Sequence, residues 1–337
     1  MARVAARQGL QARSFDQAAV AFGDAVGREI SGDSVGRITQ EFARAVQSQR
    51  MSDVTVALAP AQRDEAPDQR RLPEHRPIAG QANLSTDGAM VLIREEGWKE
   101  VKLVAISAVT VKEAGERAAK EGRPGRRAQD PLVELSDHSY QAGLWDAATL
   151  SGQQYAEGLR RGLDRCARLS SVTDAAVWIE RATATNFPEA VQIVDWSHAE
   201  ERLWAVGRAV FGEGTQRAAR WTHARLDELW DGQSRAVIGA LEQLDLSLER
   251  YPATVQQAAG YFRNNQERMD YPRYRAAGYP IGSGTVESAA NTLVHYRLKR
   301  PGRGWKRPNA EAMLAGLSEL HSDRFTNAWQ GTLRKVA

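Results

Sequence analysis

The chain has 337 residues, 42% of them hydrophobic and 26% charged, with a formal net charge of +3. This composition excludes wholesale disorder, and at roughly 150 residues per domain the length suits about two domains, or one large domain with an insertion. No apolar run approaches the roughly 18 residues of a membrane-spanning helix. The N-terminus MARVAARQGLQARSF lacks an apolar signal core. The single cysteine, Cys166, excludes an internal disulfide and a Cys-based zinc site. The expectation is a soluble cytoplasmic protein with no membrane partner.

Residues 14–50 read as two helices. Ser14 leads into Ala18, Ala19, Phe22 and Val26, and Gly27 and Ile30-Ser31-Gly32 interrupt the pattern. Asp33 or Ser34 can cap a second helix carrying Val35, Ile38, Phe42 and Val46 at helical spacing. The pair fits a helix-turn-helix or an ordinary helical hairpin, and residues 1–56 are expected to form a helical DNA-binding segment. Residues 57–80 hold Pro60, Pro67, Pro73 and Pro77 with Arg63, Arg70, Arg71 and Arg76, the marks of a linker or extended arm.

Strand-like runs follow at 82–93, 98–111 and 133–142, with a charged loop at 112–130. A helix is predicted over 150–166, a short strand at 169–173, a helix at 175–186 and a strand at 190–194. Three strands able to form a meander, followed by alternating helix and strand, give the element order of a ribonuclease-H-like fold, a mixed α/β sheet with flanking helices. Residues 198–275 look wholly helical, anchored by Leu203, Trp204, Phe211, Trp221 and Trp230, and read as an all-α insertion. After Tyr279-Pro280-Ile281-Gly282-Ser283-Gly284 a helix over 285–299 carries the stripe Val286, Ala289, Ala290, Leu293 and Val294. The expected division is a core at 81–198 and 279–337 interrupted by a helical unit at 199–278.

Charge is distributed unevenly. Between Asn291 and Arg307 lie His295, Arg297, Lys299, Arg300, Arg303, Lys306 and Arg307, with Tyr296 and Trp305 among them and no acid. Basic residues interleaved with aromatics suit a phosphate backbone and unstacked bases, and a solvated basic helix end has the same composition.

Four acids stand at element boundaries. Asp87 precedes Gly88, the favoured dipeptide of a hairpin turn, but a turn there leaves two very short strands; a continuous strand would bury a charge that needs another reason. Asp174 follows a strand and can cap the next helix, or stand at the sheet's C-terminal edge, where α/β active sites gather. Glu287 suits the first turn of a helix capped at Gly284, and Glu287, Asn291 and His295 share one i, i+4, i+8 row. Asp195 lies three residues before His198. The two could ligate a metal or form a buried hydrogen-bonded pair at the strand end, while Ser197 and Glu200 have capping-box spacing.

The stretch YPIGSGTVESAANTLVHYRLKRPGRGWKRPNAEAMLAGLSEL resembles the hallmark of bacterial insertion-sequence transposases of the ISKra type, within the DDE transposases. STDGAMV, GWKEVKLVAI, VTDAAVWIERATATNFPEAVQIVDWSHAEERLW and DRFTNAWQ resemble the same family in the same order, over roughly residues 10–330. The resemblance implies a ribonuclease-H-like catalytic domain with Asp87, Asp174 and Glu287 as catalytic and metal-binding triad. Asp195 is the alternate second aspartate, and Asp195 and His198 are otherwise neighbours of the site. It implies two Mg²⁺ (or Mn²⁺) ions about 3.5–4 Å apart, bridged by Asp87. The expected reaction is strand cleavage at transposon ends and strand transfer into target DNA, by a homodimer in the bacterial nucleoid. His295, Arg297, Lys299, Arg300, Arg303, Trp305, Lys306 and Arg307 would grip DNA. A catalytically inactive, transposase-derived DNA-binding protein is the alternative. Two departures stand out: Asp174-Ala-Ala replaces the usual Asp-Gly-Ala, and the Cys-bearing N-terminal segment common in the family is not among these residues, so an incomplete end-recognition apparatus is expected.

Overall fold

The computed structural model describes residues 1–62, 72–112, 131–299 and 304–333. Arg63, Pro67, Arg70 and Arg71, the charged loop from 113 to 130, and Arg300 and Arg303 lie outside the described residues. The described chain contains a five-stranded mixed sheet of order β3-β2-β1-β4-β5. The strands are β1 (Gln81–Ile93), β2 (Gly97–Lys112), β3 (Leu132–Gly143), β4 (Arg168–Thr173) and β5 (Val191–Val194). β1, β2 and β3 form the antiparallel meander, and β4 and β5 add in parallel on the other side of β1. Parallel partners need crossovers, which here are the helices α4 (Ala147–Arg160) and α5 (Val177–Asn186).

Asp87-Gly88 does not turn. β1 runs through it, pairing Asp87 with Leu103, and the chain reverses instead at Glu95 and Gly97, both at positive φ. Continuity wins because Ala89, Val91 and Ile93 then stay on the face that carries the core.

At the N-terminus α1 (Ala2–Gln11), which the sequence reading passed over, precedes α2 (Phe15–Val26) and α3 (Gly32–Gln62). α3 extends past residue 56 into the stretch read as a linker. Its buried Phe42 and Val46 join Leu10 of α1, Met313 and Leu314 of α13 (Arg307–His321), and Val91, Val101 and Leu103 of the sheet in one cluster. α3 packs on α1, α2, α4, α13 and α14 (Phe325–Leu333), so these helices belong to the main core, as a hairpin does, and do not stand apart from it. The opposite sheet face buries Leu84, Val104 and Ile106 against Leu150 of α4 and Phe187.

A helical block follows β5: α6 (Trp196–Phe211), α7 (Gln216–Trp230), α8 (Ser234–Glu242), α9 (Ala253–Gln256), α10 (Ala258–Asn265), a 3₁₀ turn (Gln266–Arg268) and α11 (Tyr271–Ala276). Leu203, Leu229, Phe262 and Tyr271 form its centre, and Val172, Ile193 and Val194 of β4 and β5 share that cluster. The chain returns to the sheet through α12 (Gly284–Ala289) and a π-helical turn (Ala290–His295). No helix among the described residues is long and apolar enough to cross a membrane.

Candidate metal centre and basic cleft

Three of the acids lie beyond the ends of the parallel ladders. β1 and β4 pair Leu84 with Ser171, and β4 and β5 pair Thr173 with Val194. Asp87 lies three residues past the end of the first ladder, and Asp174 and Asp195 lie one residue past the end of the second. The Asp195 N–H donates to the Thr173 carbonyl at 2.8 Å, so the second ladder does extend. The C-terminal edge of such a sheet is where ligands bind in α/β proteins.

Asp87 is half-buried and accepts the Gly88 N–H at 2.7 Å. Burial pushes its carboxyl up and the Gly88 bond opposes this. The Asp174 and Glu287 carboxylates push it further up, while His198 acts the other way. Asp174, Glu287 and His198 are thus near enough to act on Asp87 through space, although the β4–α5 loop, α12 and α6 carry them.

Asp174 is not the cap of α5; that position is Ala176, whose N–H donates to Asp174 at 2.9 Å. Between them Ala175 adopts φ 70°, the left-handed region that favours glycine. The departure from Asp-Gly-Ala thus falls where a side chain is strained.

Asp195 is fully buried and caps α6, accepting the Ser197 N–H at 2.6 Å. Its other oxygen accepts the Ser283 N–H at 2.7 Å and the Ser283 hydroxyl. The Ser197–Glu200 capping box does not form, because Asp195 occupies the cap and Glu200 accepts the Trp204 indole N–H at 3.3 Å. Ser283, rather than Gly284, is the N-cap residue of α12, and Glu287 lies one turn inside that helix. Asp195 thereby ties the end of β5 to the helix that presents Glu287. Its bonds go to Ser197 and Ser283 and not to His198, so the expected Asp195–His198 pair gives way to these backbone and hydroxyl donors. Ser283 was missed in the sequence, where Gly-Ser-Gly signals only a break.

One potential ligand atom from each of Asp195, His198 and Glu287 lies within 4.8 Å of the others, a group that could hold a cation. Among the described residues no Lys or Arg side chain pairs with Asp87, Asp174, Asp195 or Glu287. A carboxylate-rich donor set with one imidazole and no neutralising side chain fits a divalent ion.

The basic run divides. Arg297 is buried, donating to the carbonyls of Arg13 at 3.1 Å and Gly9 at 3.4 Å, with its guanidinium over Phe15 at 4.5 Å. Arg307 grips Glu96 bidentately and also pairs with Glu311. Trp305 donates from its indole to the Leu298 carbonyl at 3.2 Å, and its backbone bridges the end of β1. These three residues knit the C-terminal segment to the N-terminal helices and the β1–β2 turn, so part of their hydrogen-bonding capacity is engaged within the fold. Lys299 and Lys306 are exposed. His295 contacts Asn291 Oδ1 at 2.9 Å, which keeps part of the expected row, and burial and Lys299 both lower its pKa. The π-helical turn between Glu287 and Tyr296 is of a kind frequent at functional sites.

A cleft of about 390 Å³ beside this segment is lined by Arg13, Arg94, Arg297 and Lys306 with Asp16 and Asp33. Arg13 and Arg94 carry no local sequence signal, because only tertiary packing sets them beside Lys306. No family model matches the chain, and a search of curated proteins finds no relative.

Proposed function

We propose that this chain is a metal-dependent phosphodiester-transferring enzyme, a DDE transposase with a ribonuclease-H-like core and an all-α insertion at 199–278, acting on DNA. The observation that carries the reading is the convergence of Asp195, His198 and Glu287, whose ligand atoms lie within 4.8 Å of one another, with Asp87 outside that group but within electrostatic reach of Asp174, Glu287 and His198. Carboxylates are the ligands that hard cations prefer, so Asp87, Asp174 and Glu287 would hold Mg²⁺ or Mn²⁺. Such ions, when bound, stabilise charge on a transferring phosphoryl group and lower the pKa of water. Asp195 fixes the relative position of α6 and α12, and His198 supplies an imidazole that can ligate or accept a proton. Lys299, Lys306 and the cleft with Arg13 and Arg94 would take the backbone of the duplex, and paired transposon ends would call for a homodimer.

The test pairs Mn²⁺ calorimetry with nicking of a supercoiled plasmid. Wild type is expected to bind Mn²⁺ and nick only in its presence, and Asp87→Asn, Asp174→Asn and Glu287→Gln to lose nicking while retaining DNA binding. Mn²⁺-independent nicking, or full activity in Glu287→Gln, overturns the reading. Tight DNA binding without any nicking would instead identify a transposase-derived binding protein.

A further inference from the structure

We infer that Arg202, held over the Tyr261 ring, is a phosphate-binding residue of the carboxylate site, brought to it by the helical block; this rests on the metal-dependent reading above. Arg202 lies four residues after His198 on α6, so the two side chains share one face of that helix, a turn apart. His198 itself belongs to the group formed with Asp195 and Glu287. The Arg202 guanidinium carbon lies 4.0 Å from the centroid of the Tyr261 ring on α10, well inside cation–π range. Among the described residues Arg202 has no carboxylate within 4.0 Å, unlike Arg307, whose charge is engaged by Glu96 and Glu311.

Tyr261 locates the pair relative to the site. Burial pushes its phenol up to about 12; Arg202 opposes this, and Asp174 and Asp195 add to it. The ring therefore lies within electrostatic reach of both aspartates. Its hydroxyl is screened from water and has no hydrogen-bond partner of good geometry among the described residues, so the ring acts chiefly as a platform for the guanidinium. The chemistry asks for such a cation. A phosphodiester entering a cluster of acids is repelled unless positive charge meets it, and a planar guanidinium offers paired donors to phosphate oxygens. Tyr261 is the positioning residue and Arg202 the substrate-binding one.

The experiment compares wild type, Arg202→Gln, Arg202→Lys, Tyr261→Phe, Tyr261→Leu and Asp87→Asn. Each is assayed by Mn²⁺ calorimetry, by the salt dependence of duplex binding in Ca²⁺, and by Mn²⁺-dependent plasmid nicking. Arg202→Gln is expected to bind Mn²⁺ as wild type does, to lose about one phosphate contact from the salt slope, and to nick about a hundredfold more slowly. Arg202→Lys recovers part of that loss. Tyr261→Phe, which keeps the platform, nicks within about threefold of wild type, whereas Tyr261→Leu falls towards Arg202→Gln. An Arg202→Gln protein that nicks like wild type, with Asp87→Asn inactive, overturns the assignment and leaves the metal-dependent reading standing. Failure of wild type to bind Mn²⁺ overturns that reading and the assignment with it.

Discussion

Replacing Arg324 by Met tests how the N-terminal helices are held on the sheet. Arg324 donates to Glu319 through two nitrogens, at 2.9 and 3.0 Å, and to Glu157 at 2.6 Å. Arg50 adds a bond to Glu319 at 3.2 Å, Gln141 one to Glu157 at 2.7 Å, and Arg160 bridges Asp53 and Glu157. The network joins α3, α4, β3 and α13, and its three arginines balance its three acids. Burial pushes Glu157 up, but Arg324 and Arg160 override this and hold it at about 2 against an ordinary 4.5. At 1.36 kcal/mol per pH unit that difference is roughly 3 kcal/mol. Removing one partner of a buried pair costs about 3–5 kcal/mol. Both routes predict a loss of roughly 3–5 kcal/mol for Arg324→Met at pH 7, read as a lower urea midpoint at unchanged slope. Because the folded pKa of Glu157 is depressed, its contribution is full above 4.5 and is lost as pH falls towards 2. The gap between wild type and variant should therefore narrow from pH 5 to pH 3. A loss below about 1 kcal/mol at pH 7, or an equal loss at pH 3, would refute the reasoning.

Other perturbations have equally definite outcomes. Asp87→Asn removes a charge that burial and two carboxylates disfavour, so its melting temperature without metal should rise above that of wild type near neutral pH. Mn²⁺ at a hundredfold its Kd should then stabilise wild type by about 2.7 kcal/mol and this variant by near zero, measured by calorimetric melting. Ala175→Gly relieves a left-handed alanine and should stabilise the fold by about 1 kcal/mol; an unchanged or lower denaturation midpoint would count against strain at φ 70°. Ser283→Ala strips the hydroxyl donor from the buried Asp195 carboxylate, leaves the residue 283 backbone N–H in place, and should cost about 1–3 kcal/mol, with weaker Mn²⁺ binding as α12 loosens. Lys299→Gln and Lys306→Gln should each reduce the salt slope of duplex binding by about 0.9, whereas Arg297→Gln should show its effect in stability instead.

Much of the architecture is legible in local pattern. The strand runs at 82–93, 98–111 and 133–142, the alternation that follows and the helical block after 198 all reappear, because apolar periodicity is a property of neighbouring residues. α1 was passed over although its ten residues are amphipathic, with Ala5, Ala6, Gly9 and Leu10 on one buried face. For Asp87, turn propensity and strand continuity pointed in opposite directions, and the buried face decided. For the basic run, composition could not separate Lys299, which meets solvent, from Arg297, which meets the carbonyls of Arg13 and Gly9.

The sequence by itself determined which residues are acidic, basic or apolar and the order in which strands and helices arise. Only the tertiary structure decided which acids are neighbours. Asp195, His198 and Glu287 become a group through the end of β5, the start of α6 and the grip of Asp195 on Ser283. Local propensity acts over a few residues, whereas charges far apart along the chain meet only where sheet pairing and core packing bring their backbones together.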